Sequence, residues 1–162
     1  MSYRTEYSKE EWATLLHAPY YAGMYVQYAD VHHLDQRRER HAMVAEATLW
    51  EIPDEAKELI RPLYADIGKF REDNENLPGY DEETDPKDHR DAALDHLREV
   101  MGILAAKATA EEQAAVREWL MDVAQKTAEA SKESPLGILG KRVSDQEQTA
   151  LDELKEALGT SE

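Results

Sequence analysis

The chain has 162 residues, 41% of them apolar, and no cysteine, which removes disulfides, thiolate metal sites and cysteine nucleophiles. Its 35 Asp and Glu outweigh 19 Lys and Arg, and the formal net charge of −16 repels phosphates, arguing against nucleic acids and anionic membranes as partners. A length near that of one domain, with no apolar run of the ~18 residues a membrane span needs and no apolar leader at the N-terminus, predicts one cytoplasmic domain over 1–162.

The first helix start is Ser8 with Glu11, a capping box in which hydroxyl and carboxylate each take a backbone donor. Tyr7 and Trp12 add the spacing of a hydrophobic staple. A helix over 9–17 follows, and Pro19 is expected to end it and open a second over about 20–30, where Tyr21, Met24, Tyr25 and Tyr28 share a face. Leu34, Met43, Val44, Ala47 and Trp50 space a third helix over 35–50, closed by Pro53. Ile60, Leu63, Ile67 and Phe70 space a fourth over 54–72, with Pro62 inside it predicting a kink or short break. Pro86, behind Asp85, opens a fifth through Ala93, Leu97, Val100 and Leu104. Thr109 with Glu112 and Ser144 with Glu147 cap helices over 110–132 and 145–158, and Gly159 stops the last.

Alternating β-branched or aromatic residues are almost absent, while alanine, glutamate and leucine dominate. The expectation is an all-α, single-domain bundle of about six helices, partly antiparallel because several links are short. Gly23 beside Ala22 and Ala29, and Gly102 beside Ala105 and Ala106, predict two helices that cross closely, since interior glycine otherwise costs about 1 kcal/mol relative to alanine. Two loops are longer. The acidic loop near 73–85 lies in a stretch from Glu72 to Asp91 with nine acids against two bases, yet Pro78 and Thr84 stand where a calcium-binding loop needs glycine and glutamate. The loop at 134–143 is apolar, and Leu136, Ile138 and Leu139 are expected either to enter the core or to meet a partner.

Chemistry leaves few traces. No histidine follows a glutamate by three residues, as carboxylate-bridged di-iron bundles require, and Asp30-x-x-His33 is the nearest approach. His89 and His96 share a helix face but stand about 10.5 Å apart along the axis, too far to chelate one ion unaided, and read as boundary residues. There is no Gly-x-Ser-x-Gly elbow, Walker loop or Gly-x-Gly-x-x-Gly motif. Arg37, Arg38 and Arg40 form the one basic island, interleaved with Asp35 and Glu39, either as a solvated ion-paired face or as a docking patch for an acidic partner.

An alanine-rich helix, a loop and a capped helix occur over 114–159, through Trp119-Leu120-x-x-Val123-Ala124, Ala128-x-Ala130, Val143-Ser-x-x-Glu147, Leu151 and Ala157-Leu-Gly159. A looser version surrounds Gly23 to Met43. This arrangement resembles the TerB-like tellurite-resistance helical family, and the same tail is similar to that of small bacterial helical proteins. The resemblance implies an all-α, stress-associated bacterial protein that binds a divalent cation through loop acids. The chain departs from it where the family's Asp-Gly turn is replaced by Asp30-Val31-His32-His33 and by Ser131-Lys132-Glu133. Only Asp30 and Glu39 carry over, with His33 added. The leading expectation is a non-enzymatic bundle acting through a protein partner or homo-oligomer, with Leu136, Ile138 and Leu139 as interaction residues. The alternative is a metal-binding bundle with Asp30, His33 and Glu39 as ligands, a set suited to manganese, iron or zinc.

Overall fold

A computed structural model of the chain describes residues 3–29, 48–73, 85–130 and 145–159. These residues form five α-helices and two short 3-10 turns, with no strand among them. The helices are α1 (Lys9–Gln27), α2 (Lys57–Asp73), α3 (Pro86–Lys107), α4 (Ala110–Ala130) and α5 (Asp145–Leu158), and the 3-10 turns are Arg4–Glu6 and Asp54–Ala56. None of these helices is long and apolar enough to cross a membrane.

The helix ends follow the local chemistry. Ser8 and Glu11 form their reciprocal cap, Glu11 accepting from the Ser8 amide at 2.8 Å and Ser8 Oγ from the Glu11 amide at 3.1 Å. Thr109 and Glu112 repeat it at 3.0 and 3.1 Å, just outside the start of α4. Asp85 caps α3 by accepting from the Lys87 amide at 2.8 Å, ahead of Pro86, whose missing N–H costs nothing at a first helical position. Glu147 is buried on the first turn of α5, and Ser144 lies outside the described residues. Gly159 takes a φ of 81° after α5, a left-handed stop that favours glycine.

One proline, Pro19, behaves otherwise than the sequence predicts. Pro19 does not divide two helices: α1 runs through it from Lys9 to Gln27, with Tyr28 and Ala29 in a turn. An interior proline costs about 3 kcal/mol or more. Here, burial on both sides of it, by Leu15, Leu16 and Ala18 and then Tyr20, Ala22, Tyr25 and Val26, holds the helix together. α2 likewise passes Pro62 without a break, and Asp54–Ala56 precede it as a 3-10 turn rather than as α-helix. Of the helix expected over 35–50, residues 35–47 lie outside the described set, and Thr48, Leu49 and Trp50 form a turn and bend.

α1 is the centre of the architecture. It packs mainly on α3 and α4 and also meets α5 and α2. Every residue from Ala22 to Tyr28 is buried, so this part of the helix has no solvent face. The surrounding helices each contribute an apolar stripe to one shared core: Leu59, Ile60, Leu63 and Ile67 from α2; Ala93, Leu97, Val100 and Leu104 from α3; Val116, Trp119, Leu120 and Val123 from α4; Leu151, Leu154 and Leu158 from α5. Gly102 corrects the expected close crossing at that position. It is exposed, and a Cβ built there meets nothing within 4 Å. Gly23 is buried in α1.

Candidate functional site

Several of the described charged and aromatic residues meet along α1. At its start, the Trp12 indole donates to Asp66 Oδ2 at 2.9 Å, while Arg4 reaches the same oxygen at 3.1 Å and lies over the Trp12 ring. Tyr7 meets Trp12 at 5.8 Å between centroids, the staple expected from their spacing. Lys107, at the end of α3, donates to Glu11 at 2.6 Å and to the Glu6 carbonyl at 2.8 Å. Its ammonium, with the Ser8 amide second, holds the Glu11 carboxyl below the usual range.

Further along, α1 and α3 form a seam of stacked rings. Tyr21 stacks on His96 with centroids 4.0 Å apart and planes inclined by 23°; Tyr28 stacks on His89 at 4.5 Å and 15°. The two tyrosines are seven residues apart, Tyr21 on α1 and Tyr28 at its C-cap, and the two histidines are seven apart on α3, so the two segments meet ring to ring at matching intervals. Residue numbers fall along α3, from Lys107 through His96 to His89, as they rise along α1 from Glu11 through Tyr21 to Tyr28.

His96 does more than stack. Its Nε2 lies 2.9 Å from the Thr14 carbonyl, which can only accept, so Nε2 is the donor of this bond. His17, one turn beyond Thr14, is half-buried. Burial first, and then the neighbouring His96, depress its imidazole below the ordinary histidine range.

α5 joins through Tyr25, whose phenol donates to Glu153 Oε2 at 2.5 Å. Burial and then this bond push the phenol above its ordinary range, while Arg90 pulls the other way. Arg117 Nε donates to the Leu158 carbonyl at 2.6 Å, closing α5 onto α4.

Chemically, this set can hold protons and fasten helices. Among the described residues no group of three or more His, Asp or Glu is placed to hold a metal ion. His96 is half-buried, as a boundary residue would be, whereas His89 is buried; each is covered by a tyrosine. Asp30, His33 and Glu39, the metal candidates, lie outside the described residues, as do Leu136, Ile138 and Leu139 and the arginines at 37, 38 and 40. Sequence reasoning singled out His89 and His96 but missed their partners and missed His17. The available signal was the matching seven-residue spacing of Tyr21 and Tyr28.

Comparison with protein-family models, with curated proteins and with solved structures returns no match to this chain.

Proposed function

We propose that the chain is a non-enzymatic, cytoplasmic helical-bundle protein that acts by association, with a protein partner or with a second copy of itself. The supporting observation is how its polar residues are used. Asp66 is taken by Trp12 and Arg4, Glu112 by the cap of α4, Glu153 by Tyr25, and His96 by the Thr14 carbonyl and Tyr21. Each of these groups is engaged in fastening one structural element to another or in starting a helix, which is the chemistry of a scaffold.

A bundle of about six helices, partly antiparallel, belongs to the same proposal, supported by the opposed residue order of α1 and α3 along their seam. So does a bacterial stress-associated setting, supported by the resemblance of residues 114–159 to TerB-like proteins. The apolar residues Leu136, Ile138 and Leu139 are its interaction surface.

Sedimentation velocity over a range of concentrations, on the full chain and on a Leu136→Ser, Leu139→Ser double variant, tests the reading. Association that weakens in the variant while the melting temperature holds supports it. A monomer at every concentration, with a variant that is merely less stable, overturns self-association and assigns the two leucines to the core.

A further inference from the structure

The residues ahead of α1 are folded on themselves. Tyr3 donates its amide to Glu6 Oε2 at 2.6 Å, and the Glu6 and Tyr7 amides donate to the Tyr3 and Arg4 carbonyls at 2.9 and 3.1 Å, so the Arg4–Glu6 turn satisfies these backbone groups from within. Side chains tie the segment to the bundle. Arg4 reaches Asp66 of α2 at 3.1 Å and lies 5.4 Å over the Trp12 ring. Lys107 of α3 donates to the Glu6 carbonyl at 2.8 Å, with its ammonium 5.7 Å from the Tyr7 ring, and Tyr7 is buried beside Trp12.

Each charged group in these ties keeps a partner when the segment lifts away. Asp66 Oδ2 still accepts from the Trp12 indole at 2.9 Å, and Lys69 stands 3.5 Å from its other oxygen. Lys107 still holds Glu11 at 2.6 Å. Arg4, with its side chain already 57% exposed, returns to water. Breaking a buried ion pair is costly because a charge is left stranded, and here none is. The junction with α1 is also unstrained. Tyr7 (φ −104°, ψ 140°) and Ser8 (φ −67°, ψ 166°) are extended, a conformation open to any residue, and residues at the end of an element are where hinge rotation is absorbed.

We propose that Tyr3–Tyr7 is a releasable clasp, which swings off as one piece at Ser8 while the bundle stays folded. Closed, it withholds the face of Trp12 that Arg4 and Tyr7 cover, beside the carboxylates of Asp66 and Glu11. Open, it offers that face to solvent. The Arg4 and Lys107 contacts lie at the rim of the fold, so dissolved salt screens them and favours the open form.

Amide exchange of the full chain, read by mass spectrometry at neutral pH in about 0.05 M and about 0.5 M sodium chloride, tests the clasp. The peptide spanning Tyr3–Tyr7 should be protected, yet exchange faster than peptides of α4, because it opens without global unfolding. Arg4→Gln should raise its exchange by about three- to tenfold, the worth of one rim ion pair with a cation–π contact, and leave α4 unchanged. Added salt should raise it in the native chain and do less in that variant. Lys107→Met, which keeps the length of the side chain and removes its charge, gives a second and independent reading. A Tyr3–Tyr7 peptide that is unprotected in the native chain, or that exchanges only as slowly as α4, would overturn the clasp. So would exchange unaltered in both variants, or a loss of protection spread over all the helices.

Discussion

Helices α1 and α3 lie along the same seam and are of similar length, yet they occupy different environments. α1 is buried at every position from Ala22 to Tyr28, whereas α3 buries one stripe and leaves Ala92, Asp95, Arg98, Glu99, Gly102, Ala105 and Ala106 exposed. The difference shows how little a residue type means without its surroundings. Glycine inside α1 sits in packed core and glycine inside α3 faces water. Tyr25 of α1 is a core ring with a polar handle, whereas Tyr21 is half-buried and covered by His96 of α3.

The largest test of this contrast is a pair of truncations. Leu15→Ala, at a site 2% exposed on α1, should cost about 2–5 kcal/mol in denaturant unfolding, from lost transfer energy and the cavity left behind. Glu99→Ala on the outer face of α3 should stay within about 0.5 kcal/mol of the native chain. Equal losses would mean that α1 is not the centre of the core. Next in size, Asp66→Ala removes the acceptor of the Trp12 indole and the partner of Arg4, and should cost about 1–3 kcal/mol because a buried donor loses its bond. Gly23→Ala should destabilise by a similar amount, about 1–3 kcal/mol, through overpacking of the buried helix.

Tyr25 gives a smaller effect with a pH signature. Its Glu153 partner is exposed, so Tyr25→Phe should cost about 1 kcal/mol at neutral pH. The folded phenol is held above its ordinary range by burial first and by Glu153 second. The unfolded chain therefore loses this proton first, and the stabilisation, complete below pH ~10, falls as pH rises beyond it by at most about 1.36 kcal/mol per pH unit. The chain has seven other tyrosines, so the quantity to measure is the difference between native and Tyr25→Phe melting curves from pH 8 to 11. A constant difference would remove the raised pKa.

What could be read from the sequence was local. Ser8 with Glu11, Thr109 with Glu112, Asp85 before Pro86, and Gly159 all act through bonds within four residues, and each starts or stops a helix as its spacing predicts. Pro19 was misleading because its local penalty is outweighed by burial that depends on the other helices packed around α1. The Tyr–His stacks were hidden for the same reason: seven-residue spacing can be seen on each helix alone, but the register that sets Tyr21 on His96 exists only once α1 and α3 pack. Trp12 and Asp66 are 54 positions apart, and nothing local marks them as partners.

Gly102 carries the smallest expected effect and the clearest sign. If this glycine served a close helix crossing, adding a methyl group would destabilise the fold. The surface around it is open, with nothing within 4 Å of a built Cβ, and its φ is not in the left-handed region, so alanine fits without strain. Replacing Gly by Ala then removes backbone freedom from the unfolded chain and raises helix propensity, a gain of about 0.4–1 kcal/mol. For a chain of this size that is a rise in melting temperature of about 1–4 °C. Calorimetry of Gly102→Ala at neutral pH measures it directly. A lower melting temperature would return α3 to a close crossing at this turn and make its outer face as demanding as the buried half of α1.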